Sequence, residues 1–333
     1  MKFIVPATSN PATGRAATPI AFINAIVGGY RKYGIDPATV LALGGVTRRE
    51  LDDPDVRVTA AQMEIISSVA MQELDDEALG WFTRKLPWGS YGMLCRASLS
   101  APNLGVAMKR WCRHHRLLTD DIELRLSTAH TQAQLEITVH RELGAMHEFC
   151  LVTSLRYLLG YSCWLIDSRL PLRAAHFPFA PPPHREVYPL LFPCELHFNA
   201  VRASVSFDAE YLELPVRRDE AALQQMLERA LLLTVLQYRR DRLLVQRVRQ
   251  YLRAQLPHAA TAEAVASALN VSVRTLYRQL ESENASLQEL KNEVRCSYAS
   301  ELLTRSRQPV KQIAAVVGFR NEKSFIRAFK LWT

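Results

Sequence analysis

Apolar residues recur along the chain with two different periods, and each predicts its own kind of element. From Ala21 to about Ala107 they fall mainly at helical intervals, interrupted at GGVTRRELDDPD and RKLPWGSYG, which read as loops. IELRLS and AQLEITVH instead alternate apolar and polar on either side of TAHTQ, the signature of a hairpin. Helical spacing returns over Phe149–Ile166. The proline density of RAAHFPFAPPPHREVYPLLFPCELHFN excludes a helix, while AAHFPF, ELHFN and then SVSFDA predict short strands. Beyond Pro215, Asp219 opens a long helical pattern, DEAALQQMLERALLLTVLQYRRDRLLVQRVRQYLRAQL, expected to connect two domains.

The last third carries one pattern twice. Val265, Ala266, Leu269 and Asn270 match Ile313, Ala314, Val317 and Gly318 at an offset of 48. Leu276, Arg278 and Leu280 match Phe325, Arg327 and Phe329 at an offset of 49, so the second copy has one extra residue in its turn. In the first copy Thr261 is placed to cap a short helix, and Asn270 tolerates the left-handed backbone needed to leave it sharply. Ser272 then caps a second helix that buries Leu276 and Leu280 and exposes Arg274, Tyr277 and Arg278. That is a helix-turn-helix, whose second helix suits a major groove. Gly318 is the residue the second turn prefers.

Between the copies, Ser286 and Glu289 have capping-box spacing, and Leu287, Leu290, Val294, Tyr298 and Leu302 follow at intervals of three and four. A helix of about 18 residues is ~27 Å long. Such a strut would hold two recognition helices about one DNA turn (~34 Å) apart on one face of a duplex.

Charge agrees with that reading. The chain of 333 residues carries a net +8. From Leu231 onward there are 17 Lys+Arg against 8 Asp+Glu, or +9; the residues before carry 24 against 25, or −1. A basic third joined to a neutral front implies a polyanion partner for the former. Hydrophobic content of 48% with 22% charged residues is ordinary for a globular chain. Pro6 and Pro11 break the N-terminal apolar run, arguing against a secretory signal, and LVTSLRYLLGYSCWLI carries Arg156, so it reads as a core helix. Six cysteines without CxxC or disulfide-like spacing suit a reducing cytoplasm.

The final ~80 residues resemble the AraC/XylS family of bacterial transcription regulators, through VASALNVSVRTLYRQL, VRCSYASELL and IAAVVGFRNEKSFIRAFK. The resemblance implies promoter binding by a double helix-turn-helix domain over 241–333, reached through a connecting helix over 217–240. Carried over by position, its DNA-binding residues are Ser272, Arg274, Tyr277, Arg278, Asn321, Glu322, Lys323 and Arg327. The family's G-x-x-P-x-x-Y/F-R segment is absent after Phe329-Lys330, so the second unit is expected to be incomplete at its C-terminal end. Residues 20–216 resemble the arabinose-binding-type N-terminal domain of the ornithine-utilisation and quorum-regulator branch, through YGIDPATVLALGGVTRRELDDPDVRV and WGSYGMLCRASLSAPNLGVAMKRWCRHHRLL. The implied fold is an α+β sensing or dimerisation domain followed by an all-α DNA-binding domain. The implied partners are double-stranded promoter DNA, a second copy of the chain, a small-molecule effector and, for an activator, RNA polymerase. A ligand-independent regulator that only dimerises is the alternative. No cofactor, metal, membrane partner or catalytic residue is expected.

Several side chains invite sharper chemistry. Cys112 and His115 lie one helical turn apart beside His114, but no fourth ligand is spaced to join them, so a helix carrying a solvated His pair is expected. Pro193-Cys194 resembles the methyl-accepting motif of alkylation-repair regulators, yet Glu195 and Leu196 follow it and would not lower a thiol pKa, so Cys194 reads as buried in a strand. Trp81, Phe82, Trp88 and Tyr91 read first as core, with a ligand pocket as the alternative. Asp52-Asp53 and Asp75-Asp76 read as helix caps.

Overall fold

The computed structural model describes residues 16–228, 230, 243–258, 260–282, 285–306 and 308–332. The chain divides into two compact units, Met1–Arg239 and Arg240–Thr333.

In the front unit Ala16–Pro19 (β1) pairs antiparallel with Arg57–Thr59 (β2), both too short for alternation to reveal. Between them lie helices Ile20–Lys32 (α1), Ala38–Gly44 (α2) and Arg48–Leu51 (α3). α3 falls inside GGVTRRELDDPD, read above as loop. The Thr47 hydroxyl accepts from the Glu50 amide while the Glu50 carboxylate accepts from the Thr47 amide, a capping box that seeds one turn. Thr59 and Gln62 start Ala60–Glu73 (α4) with the same device. Ser90–Leu99 (α5) begins within RKLPWGSYG and is followed by Leu104–His115 (α6).

The predicted hairpin forms as Ile122–Ala129 (β3) and Gln132–Val139 (β4), with Leu124 opposite Ile137. Next come His147–Ile166 (α7), Leu172–His176 (β5), Tyr188–Leu191 (α8), Glu195–His197 (β6) and Ala203–Asp208 (β7). These strands make a five-stranded sheet in the order β3-β4-β7-β5-β6, antiparallel except for the β5/β6 pair. β7 is central and buried on both faces from Ala203 to Phe207. α7 is long and apolar enough to cross a bilayer, yet fifteen of its twenty residues are buried inside the unit, which makes it the core helix. Its Arg156 is reconciled with burial by donating from Nη1 to the Leu191 carbonyl at 2.7 Å and lying 5.8 Å from the Phe192 ring.

Of the long helical pattern after Asp219, Glu220–Leu227 (α9) and Leu243–Gln255 (α10) are helical, with the Asp219 carboxylate accepting from the Ala222 amide as N-cap. Residue 229 and residues 231–240 of the expected connecting helix, half of the stretch 223–236 among them, lie outside the described residues.

Every element among the described residues of the second unit is a helix: α10, Ala262–Ala268 (α11), Val273–Ser282 (α12), Leu287–Arg305 (α13), Val310–Val316 (α14) and Glu322–Trp332 (α15). Thr261 caps α11, and Asn270 leaves it with φ 54°, as its residue type allows. The front half of α13 packs Leu287, Leu290 and Val294 with Val245, Val248, Val265 and Leu276. Its second half packs Ala299 and Tyr298 with Ile313, Val317 and Phe325. One helix therefore belongs to both helix-turn-helix cores.

Gly318 turns α14 toward α15 at φ 85°, and a Cβ there would lie 2.5 Å from the Pro257 carbonyl oxygen. Conformation and close approach both require glycine. Gly318→Ala should cost about 1–3 kcal/mol in local stability. Hydrogen exchange on the full chain should show amides of α14 and α15 losing protection; unchanged protection there would contradict this packing.

Candidate nucleic-acid interface and a front-unit cavity

Two outward helix surfaces of the second unit are set by their helix starts. The Ser272 hydroxyl accepts from the Thr275 amide at 3.1 Å, and Asn321 Oδ1 accepts from the Ser324 amide at 2.8 Å. Two of the eight residues assigned to DNA thus act as N-caps of α12 and α15. From those starts, Leu276, Leu280 and Phe325 turn inward, while Arg274, Tyr277, Arg278, Glu322, Lys323 and Arg327 are exposed. Among the described residues, Arg274, Arg278, Lys323 and Arg327 have no carboxylate partner within ion-pair distance. Exposed, unneutralised cations at the first turns of two amphipathic helices can meet phosphate or base edges.

Other basic residues of this unit are already engaged. Arg249 reaches Glu293 at 2.7 Å and Arg253 reaches Glu301 at 2.6 Å, tying α10 to α13. Arg253 also lies 4.6 Å from the Tyr298 ring centroid, and Arg295 lies 5.6 Å from that of Phe319. A charge count cannot separate these bracing arginines from the outward ones. α13 itself begins with the capping box expected from Ser286 and Glu289.

The front unit has a partly open cavity of about 320 Å³. α4 contributes Glu64 and Ser68, the following turn Glu77 and Trp81, α5 Tyr91, and α7 Tyr157. Gln224 and Leu227 of α9 close one side. α9 is held there by Arg96, which donates from Nε and Nη2 to Glu220 at 2.9 and 2.7 Å. Glu77 accepts from the Gly89 and Tyr91 amides at 2.8 and 2.6 Å, at the start of α5. Burial nevertheless raises its carboxyl to about 7, with Asp76 and Asp75 adding to the rise.

Of the aromatic group, Trp81 and Phe82 are buried core residues, yet Trp81, Trp88 and Tyr91 also line the cavity, so both readings hold at once. The aspartate pairs do not cap helix starts. Asp52 ends α3, and Asp53 accepts from the Asp55 amide. Asp76 is fully buried beyond the end of α4 and accepts from the amides of Ala78, Gly80 and Leu86 and from the Tyr33 hydroxyl. It organises the loop that delivers Glu77 and Trp81. Its partners are dispersed, so its neighbours in sequence gave no sign of this role.

His115 is not solvated: it is 1% exposed, and burial lowers its pKa to about 4. Cys112 beside it is buried, its thiol pushed up to about 12. Among the described residues no three His, Cys, Asp or Glu side chains gather in a way that would hold a metal ion. Cys194 is half-buried and precedes β6 instead of lying within a strand, because its amide turns back to the Phe192 carbonyl at 2.9 Å. Burial, with Glu195 adding to it, raises that thiol to about 11.

Comparison with known proteins places these features. Residues 34–216 match the arabinose-binding domain of AraC transcription regulator, N-terminal, and residues 265–333 match a helix-turn-helix domain. The ornithine utilization regulator of Pseudomonas aeruginosa is 29% identical over 318 residues, covering 95% of this chain and 93% of its own. The HTH-type transcriptional activator CfaD of Escherichia coli is 32% identical over 83 residues, covering 25% of this chain and 31% of its own. Among solved structures, the transcriptional regulator CdpR from Pseudomonas aeruginosa aligns over 89% of this chain and 93% of its own, with 20% identity and a TM-score of 0.34.

A methyl-accepting cysteine needs a thiolate, and Cys194 holds its proton. Alkylation of Cys194 by iodoacetamide at about pH 8 should run roughly tenfold slower than that of an unperturbed cysteine, because thiolate scarcity outweighs the higher nucleophilicity. Mass spectrometry of the Cys194 peptide measures this, and faster modification than the reference would reverse the assignment.

Proposed function

The chain belongs to the AraC family of transcription regulators, and from that premise we propose that it reads promoter DNA with α12 and α15 together while its front unit senses a small molecule. The observation that carries the proposal is the pair of capped helices, each presenting outward cations that have no carboxylate partner among the described residues, packed on the two halves of α13. Arg274, Tyr277 and Arg278 make base-edge contacts from α12, and Asn321, Glu322, Lys323 and Arg327 serve α15, with Ser272 and Asn321 fixing the helix starts against the backbone. The domain limits that fit this division are 20–216 for sensing, 217–240 for the connection and 241–333 for DNA binding.

The sensing role rests on the cavity. Its wall includes α9, the last described helix before the DNA-binding unit in the sequence, so an occupant would bear directly on the start of the connection. This favours a sensor over a front unit that only dimerises. The protein works in the cytoplasm as a homodimer held through the front unit, whose near-neutral charge leaves little repulsion between copies. At promoters it activates, it also contacts RNA polymerase.

Genome-wide mapping of bound sites supplies the operator on which the reading is tested. Arg274→Ala, Arg278→Ala and Arg327→Ala should each cost about 1–3 kcal/mol at that operator and much less on random duplex. Log K should also fall with log salt by about 0.9 per phosphate neutralised. Retention of full operator preference by all three variants would contradict the proposal.

A further inference from the structure

The cavity beside α9 has a definite chemical character. Among its described lining residues none is Lys, Arg or His, so nothing there draws an anion, and Glu64, Glu77 and Glu228 would repel one. Nor does a carboxylate of the wall wait for a cation. Glu77 accepts from two amides, and Glu64 has its own partner and also borders a smaller pocket beside Arg156. Glu228 is exposed to water. Burial that already raises the Glu77 carboxyl to about 7 shows how poorly this space hosts charge.

Aromatic surface and an unspent donor set the class instead. Trp81, Trp88, Tyr91 and Tyr157 line the space, and the Tyr157 hydroxyl is already paired with the Cys95 sulfur at 3.9 Å. Trp81 is 5% exposed, and its indole N–H has no acceptor among the described residues. Phe82 and Phe149 pack edge to face with its ring at 6.0 and 5.4 Å, so the ring is pinned and cannot turn to find one. Buried donors in proteins are nearly always paired, and an acceptor brought by a ligand would complete this one.

We infer that this cavity binds an uncharged, mainly apolar molecule with a carbonyl oxygen, which accepts from the Trp81 N–H while its carbon frame packs on Trp88, Tyr91 and Tyr157. This rests on the reading of the front unit as a sensor and names the class of its effector. A carbonyl only accepts, so it satisfies the indole without bringing a donor of its own. The volume of about 320 Å³ is roughly twice that of an apolar cavity that holds one benzene, which sets the ligand at about ten to twelve non-hydrogen atoms. Leu227 of α9 borders the same space, so the fit of that frame bears on α9.

The test uses the full chain, titration calorimetry and four probes of nearly one shape. Acetophenone carries the carbonyl, α-methylstyrene replaces its oxygen with a methylene, and benzoate and benzylammonium supply the two charges. Acetophenone should bind at least about tenfold tighter than each of the others, a factor within what one unsatisfied buried donor costs. Trp81→Phe should bring acetophenone and α-methylstyrene within about threefold of each other, because the ring stays and the donor goes. Since Trp81 lies in the core, Trp88→Ala gives a second check at a position 44% exposed. It should weaken acetophenone at least about threefold with the melting temperature of the free protein retained. Equal binding of acetophenone and α-methylstyrene, or an advantage that persists in Trp81→Phe, would contradict the acceptor contact. Tighter binding of benzoate or benzylammonium, lost in Trp88→Ala, would overturn the uncharged class and leave the sensor reading standing. Acetophenone bound as expected, with operator affinity unchanged, would keep the ligand class and remove the sensor reading. No response to any of the four would overturn the inference and remove the cavity as support for sensing.

Discussion

Leu287, Leu290 and Val294 on the first half of α13 belong to one hydrophobic core, and Tyr298, Ala299 and Leu302 on its second half belong to or pack against another. Everything the second unit does depends on that shared helix. Each helix-turn-helix alone has few buried side chains, too few for an independent domain. Packed on α13, the two copies become one body, and nineteen residues at 1.5 Å each give a rod of about 28 Å between its ends. α10 reinforces the rod through Arg249 and Arg253. These surface pairs contribute little stability individually, but their partners Glu293 and Glu301 lie eight residues apart on α13, so together they fix how α10 lies along it.

The front unit has its own organising centre, smaller and entirely polar. Asp76 accepts four hydrogen bonds from Tyr33, Ala78, Gly80 and Leu86 in a fully buried position. A buried carboxylate persists only when so satisfied. By holding the loop after α4 it places Glu77 at the start of α5 and Trp81 in the core. Aromatic walls, carboxylates and the α9 face then meet around one cavity. The cavity wall therefore shares side chains with α9, the last described helix of the front unit.

The second unit was largely legible in the sequence because its determinants are local. Thr261, Ser272 and Ser286 cap helices within four residues of themselves, and Asn270 and Gly318 mark turns by residue type. Periodicity then identifies which side chains face inward. The front unit yielded its hairpin and core helix for the same reason. Its cavity stayed hidden because Glu64, Trp81, Tyr157 and Leu227 come from segments far apart in the chain, and spacing carries no information about their meeting. Cys194 shows the reverse error: a strand-like neighbourhood suggested a buried strand position, but one backbone hydrogen bond to Phe192 bends the chain before β6 begins.

If α13 sets the separation of α12 and α15, both helices engage a duplex in register with its helical repeat. Hydroxyl-radical footprinting of the full chain on a mapped operator measures this directly. Each protomer should protect two blocks about one turn, roughly 10 base pairs, apart on the same face of the DNA. A single protected block, or two blocks on opposite faces, would contradict the shared-helix account.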